Sequence, residues 1–178
     1  MLASLTREVF ACGSDAWIME RVQQRGKIMI SSFDVVNGTT QKHFFLSPKE
    51  TGYEMSQSLV FDIHPACNFL AAATTVTSKT DPSLLKYQIQ VYNLNTLQEV
   101  WYVILDSSTS GGAINSLSVS TDGTRVVVGS RGEQGLKLLS SSGAVLALPS
   151  QAAMSHSVYN TDKTKVTQTN PINQVAFS

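Results

Sequence analysis

The sequence predicts an all-β fold, an array of about three four-stranded antiparallel units, and three observations predict it. Only 15% of the 178 residues are charged while 42% are apolar, so Ser, Thr, Asn and Gln fill most solvated positions, a balance that suits strands and turns. The stretch Ile114 to Ser130, INSLSVSTDGTRVVVGS, alternates Leu117 and Val119 with serines, turns at Asp122-Gly123 and continues in the β-branched run Val126 to Val128. That is the pattern of a hairpin with one half-buried and one fully buried strand. The same layout recurs along the chain, which marks a repeat architecture.

Within the repeat, QSLVFDIHPACNFLAAAT from Gln57 to Thr74 lies on the template with Ile63 matching Val119, and INQVAFS from Ile172 to Ser178 matches its first strand. Leu2 and the following ASLTREVFACGS take the same pattern, with Val9 to Ser14 as a second strand. Leu2, Ile63, Val119 and Phe177 are then equivalent, and the unit is about 58 residues. Third strands follow at Lys27 to Phe33, Tyr87 to Leu94 and Gly135 to Ser140. Beyond turn signals at Asn37-Gly38, Asn95-Thr96 and Ser142-Gly143, fourth strands are expected at His43 to Leu46, Glu99 to Leu105 and Ala144 to Leu148. In EVWYVIL both faces are apolar, which predicts a strand lying between packed layers or at a covered outer edge, with Trp101 and Tyr102 in core packing. Trp17 to Gln24 is expected as a short helical excursion in a long loop, and the polar run Met154 to Thr169 as a solvated loop. Four antiparallel strands per unit make the blade of a β-propeller. The chain divides into units 2–56, 57–113 and 114–171, with 172–178 starting a further blade.

These residues resemble the WD-repeat propellers and their degenerate relatives over nearly the whole chain. His64-Pro65, Asp122-Gly123, Cys12-Gly13-Ser14-Asp15 and Val128-Gly129-Ser130 look like the family's turn and strand-end elements. The Trp-Asp dipeptide is replaced by Phe33-Asp34, Tyr92-Asn93 and Leu139-Ser140, the Gly-His dipeptide is missing, and Arg131 stands at the turn Asp of the third unit. Apolar packing must therefore replace the family's buried hydrogen-bond network. The resemblance implies a propeller fold used for protein–protein interaction.

Small propellers close with at least four blades, and three units beginning and stopping in a first strand read as an incomplete array. Stacked blades bury apolar faces on their neighbours, so an open array exposes two of them. Further blades, a partner protein or self-association are the expected completion, and a truncated product without independent function is a further alternative.

Thirteen basic residues balance thirteen acidic ones, which gives no electrostatic support to nucleic-acid binding. A run of some 18 apolar residues is absent, as is the apolar core of a signal peptide, so the chain reads as soluble with no membrane role. Cys12 and Cys67, in apolar surroundings, read as buried free thiols, and with them a cytoplasmic or otherwise intracellular location. His43, His64 and His156 have no two-ligand spacing, GSRGEQG at Gly129 to Gly135 joins two strands instead of opening a helix, and the Asp residues sit at turns. No catalytic residue, metal or cofactor is expected. A lactonase-type hydrolase with a central metal is the enzymatic alternative, yet the inner strands offer only Ser118, Ser120, Asp62 and Asn173 for it.

Function is accordingly read as a non-enzymatic interaction scaffold or adaptor. Its expected contact residues lie in three second-to-third-strand loops on one rim: Asp15, Trp17 and Arg21 in the first, Lys79 and Asp81 in the second, Arg131 and Glu133 in the third. For Trp17 the plainer alternative is burial against its own blade.

Overall fold

The computed structural model describes residues 9–22, 27–107, 113–130, 136–146, 155–159 and 165–169, with residues 19–22, 57–59 and the last two runs described as backbone. The elements described in full are strands, and the described sheets form three four-stranded antiparallel blades and one hairpin. Blade 1 is β1 (Val9–Cys12), β2 (Asp15–Val22), β3 (Lys27–Asp34) and β4 (Thr39–Leu46). Blade 2 is β5 (Tyr53–Ile63), β6 (Phe69–Ser78), β7 (Leu85–Asn93) and β8 (Gln98–Asp106). Blade 3 is β9 (Ile114–Val119), β10 (Arg125–Ser130), β11 (Leu136–Ser140) and β12 (Val145–Leu146). The array of blades is open.

The first blade departs from its expected register. Val9–Cys12 is the first strand, paired with β2, and Asp15–Val22 is the second strand where a loop with a helical excursion was expected. Gly13, with φ 61°, makes the turn so tight that little sequence separates the two strands. Ala11, not Leu2, is the equivalent of Ile63 and Val119, because each pairs with the residue opposite the end of a third strand: Ala16 with Phe33, Leu70 with Tyr92, Val126 with Leu139. Leu2 and Ile172–Ser178 lie outside the described residues. The polar run expected as a loop carries the hairpin β13 (Ser155–Tyr159) and β14 (Lys165–Thr169), in which His156 pairs with Gln168.

Alternation places two apolar cores between the blades. Trp17, Ile28, Ile30, Phe44 and Leu46 of blade 1 meet Phe61, Ile63, Leu70 and Tyr92 of blade 2. Ala71, Ile89, Val91 and Trp101 of blade 2 meet Leu117, Val119, Val126, Val128 and Leu139 of blade 3. Each blade thus has a leading face, toward the blade before it, and a trailing face toward the next. In β8 only one side is covered: Trp101 and Leu105 are buried, whereas Val100 and Tyr102 are exposed, because β8 is an edge strand of its sheet.

The cysteines correct a second expectation. Cys12 and Cys67 are disulfide-bonded, with Cα atoms 5.6 Å apart, and no described cysteine is free. The bond ties the first turn of blade 1 to the first turn of blade 2. Once the register of blade 1 is set by Ala11 and Ile63, both cysteines fall at the same turn of successive units, a coincidence that the alignment on Leu2 conceals.

Candidate interaction surface

Antiparallel meanders send the first-to-second and third-to-fourth turns to one end of every blade and the second-to-third loops to the other. At the turn end the three blades repeat one bond: Val35 N donates to Ser14 O, Leu94 N to Asn68 O, and Ser141 N to Thr124 O. Asp34 and Asn93, each at the end of a third strand, initiate the third-to-fourth turns. Asp34 Oδ1 accepts from Val36 N at 2.8 Å and Asn37 N at 3.1 Å, and Asn93 Oδ1 accepts from Asn95 N and Thr96 N. The side-chain amide of Asn37, followed by its backbone amide, holds the Asp34 carboxyl below the usual range. Asp122 is a turn residue of the same kind, held at about 2 by the Ser120 hydroxyl and the Thr124 amide and hydroxyl.

This end also carries the latches between blades. Asp62 Oδ2 accepts from Ser118 Oγ at 3.1 Å and Val119 N at 3.3 Å, joining the first strands of blades 2 and 3. His64 Nδ1 accepts from Ala66 N, and Nε2 lies 3.1 Å from Thr121 Oγ1, while Asn68 donates to Thr121 O. Trp101 Nε1 donates to Gly123 O at 2.6 Å, and a Cβ at Gly123 would stand 2.5 Å from the Phe69 ring, so that turn has room for glycine alone. The segment His64–Asn68 therefore grips blade 1 covalently through Cys67 and blade 3 by hydrogen bonds.

Burial pushes the Asp62 carboxyl up from its ordinary 3.8, against the lowering effect of its two donors. A carboxyl raised in the folded state contributes its full stability below about pH 3.8 and loses it as pH rises through the folded value. Asp62→Asn, which keeps an acceptor, is expected to leave the chain equally or more stable at pH 7, with the difference vanishing on acidification. Asp62→Leu is expected to cost about 1–3 kcal/mol, because the Val119 amide loses its acceptor. Urea midpoints of the two variants from pH 3 to 8 check this; an Asn variant as weak as the Leu variant counts against it.

On the leading face of blade 2, a buried polar chain replaces apolar packing. Gln88 donates to Ser47 O and Gln90 Oε1 and accepts from Lys49 N; Gln90 donates to the Tyr92 hydroxyl and to Glu99 at 2.6 Å. Lys49 closes the chain on Glu99 at 2.8 Å and sits 5.4 Å from the Tyr102 ring centroid. Its members satisfy one another, so the chain fixes the linker between blades 1 and 2 without an orphaned polar group among these atoms. Burial, with Glu99 alongside, pushes the Tyr92 phenol well up.

The expected contact residues separate into two groups. Asp15 opens β2 at the turn end, and Trp17, expected on an exposed loop, is 4% exposed in the core between blades 1 and 2. Alternation on β2 buries it, with Phe44 at 6.3 Å between ring centroids. Arg21 pairs with Ile28 near the far end of β2, its side chain outside the described residues. Lys79 and Asp81 are exposed at that far end, and Arg131 and Glu133 lie outside the described residues. Among the described residues, no group of three His, Cys, Asp or Glu is placed to hold a metal ion.

The loop carrying Lys79 and Asp81 is an exposed segment at that end, fixed by hydrogen bonds. Residues 79–84 are all exposed, and Leu84 is 53% so. Ser78 N donates to Leu84 O, Lys79 N to Gly52 O and Leu84 N to Asp81 O, each at 3.0 Å or less. Ser78 Oγ accepts from Thr80 N and Asp81 N, and Asp81 Oδ1 accepts from the Ser83 amide and hydroxyl. Ser83, by its hydroxyl first, holds the Asp81 carboxyl below its usual range.

With blades, cores and repeated turns together, the architecture is decided. These are propeller blades. No protein-family model matches the sequence, and no curated protein matches it. Among solved structures, the chain is similar to Kuenenia stuttgartiensis hydrazine synthase, with a TM-score of 0.53 and 11% identity over 72% of this chain and 37% of that one. The β-propeller domain of the trilobed protease from Pyrococcus furiosus, described as having an open velcro topology, gives a TM-score of 0.49 and 13% identity over 87% of this chain and 45% of that one. At such identities the likeness is one of fold. The chain spans less than half the length of either. No described helix is long and apolar enough to cross a membrane.

Proposed function

We propose that this chain is a non-enzymatic interaction scaffold of the degenerate WD-repeat kind, whose blades hold loops that other proteins bind. The observation that carries the reading is the 78–84 loop: six consecutive exposed residues are fixed by backbone and hydroxyl hydrogen bonds, so binding would order little further chain. Lys79 and Asp81 offer opposite charges beside the apolar Leu84, a mixture suited to a protein partner. Asp34 and Asn93, initiating turns at the position of the WD aspartate, support membership of that family. The intracellular location expected from free thiols loses its support with the disulfide, and as part of the same proposal the protein works where thiols are oxidised.

The test is affinity capture from the source cells with the wild-type chain and with the double substitution Lys79→Ala and Leu84→Asp. Proteins retained by the wild type are expected to be lost with the variant while its melting temperature stays unchanged. An identical retained set with both chains, or none with either, would remove the loop from the function.

A further inference from the structure

An asparagine followed two residues on by serine or threonine, with any residue but proline between, is the acceptor pattern of N-linked glycosylation. Of the eight asparagines in the chain, Asn37 alone heads that pattern, as Asn37-Gly38-Thr39. It falls in the third-to-fourth turn of blade 1, where residues 35–40 are all exposed. The turn is built so that a substituent disturbs little. Asp34 Oδ1 accepts from Val36 N and Asn37 N, Gly38 N donates to Asp34 O, and Gly38 takes a φ of 69°, so the backbone is held without the end of the Asn37 side chain. Asn37 Nδ2, the atom that bears the sugar in such a linkage, donates one hydrogen to Asp34 Oδ2 at 2.6 Å, and its second hydrogen has no partner among the described residues. Glycosylation replaces one of the two amide hydrogens and leaves the other. The bond to Asp34 survives the substitution, and Gln41 Nε2 donates to the same carboxylate oxygen at 3.0 Å in either state.

Two further observations point the same way. Val36, beside Asn37, is 81% exposed. Aligned on the backbone bond that the three turns share, its position holds Asn95 in blade 2 and Ser142 in blade 3, both exposed and both polar. An apolar side chain at this solvent-facing position is thus peculiar to the turn that carries the pattern, and a bulky, solubilising oligosaccharide on the next residue covers it. The Cys12–Cys67 disulfide is the second: oxidising secretory compartments are where both disulfides and N-linked sugars are made.

We propose that Asn37 is an N-glycosylation site. The step is the transfer of an oligosaccharide from a polyisoprenyl pyrophosphate donor by a membrane-bound transferase. A bond forms between Asn37 Nδ2 and the anomeric carbon of the first sugar, the bond from that carbon to the pyrophosphate oxygen breaks with its electron pair leaving on the pyrophosphate, and one amide proton passes to a base of the transferase. The inference rests on the oxidising location proposed above. Asn37 lies at the turn end of blade 1, opposite the end that carries the 78–84 loop, so the glycan leaves that loop open to a partner.

Mass spectrometry of the protein isolated from its source cells tests it, with free thiols alkylated before any reduction. Cleavage after Lys27 and Lys42 releases residues 28–42. This peptide is expected to be heavier than its sequence by whole sugar residues, and to lose that mass on digestion with a peptide N-glycosidase. Made in the same cells, Thr39→Ala, which keeps Asn37 and its bonds to Asp34, is expected to lack the added mass, and Thr39→Ser to retain it; after deglycosylation both should melt at the wild-type temperature. A wild-type peptide found only at its unmodified mass overturns the proposal. If Cys12 and Cys67 escape alkylation in that sample, glycosylation fails alone; if both are alkylated, the oxidising location fails with it. Added mass that resists the glycosidase, or that persists in Thr39→Ala, sits on a hydroxyl and overturns the assignment as well.

Discussion

Trp17→Ala is expected to lower the stability of the chain by about 3–5 kcal/mol, the range for emptying a large buried aromatic site. Trp17 is 4% exposed, it contributes to the core joining blades 1 and 2, and its ring neighbours Phe44, which in turn lies 4.5 Å from Tyr92 across the junction. Removing the indole leaves a cavity lined by side chains of two blades, and relaxation of one sheet disturbs its seat on the other. Equilibrium urea unfolding checks it, and the midpoint should fall far more than for Val36→Ala at an exposed turn. A midpoint within error of the wild type would mean that Trp17 sits on the surface after all and is free for a partner.

Loss of the Cys12–Cys67 disulfide is the second large effect. The bond closes a loop with a sequence separation of 55 residues, and the entropy of the unfolded chain so constrained corresponds to roughly 4 kcal/mol at 25 °C. Because the bond links the first turns of blades 1 and 2, its removal weakens the junction that the Gln88 chain and the Trp17 core also hold. Cys12→Ser with Cys67→Ser is expected to lower the thermal midpoint, and a reductant should bring the wild type down to the variant. A wild type whose midpoint ignores the reductant would show that the two thiols are not joined in solution.

Much of the fold is legible in the sequence because period-two alternation and turn chemistry are local. Asp122-Gly123 marks its turn through the φ of 70° at Gly123, and KIMISSF, YQIQVYNL and GLKLLS mark third strands by alternation alone. Blade 1 was harder for a physical reason. Its first turn is only two residues long, so ACGSDAW reads as one segment with a turn inside a strand end, and the register slips by one strand. The slip moves Trp17 from a core strand to an imagined loop, and the contact residues assigned beside it move with it. The run Met154 to Thr169 fails for another reason: its polar residues give no alternating apolar pattern, although the backbone of Ser155–Tyr159 pairs with that of Lys165–Thr169 as a hairpin.

The sequence by itself determined the all-β class, the four-stranded repeat and the turns that punctuate it, since each depends on residues a few positions apart. Only the tertiary structure decided the junctions. The Cys12–Cys67 bond, the Asp62 latch to Ser118 and the Trp101 bond to Gly123 join residues 22 to 56 positions apart. Such contacts depend on how one sheet is seated on the next, which no local pattern encodes. The same seating alone distinguishes Phe61 and Leu117, two core residues, from Val9, their exposed counterpart in blade 1.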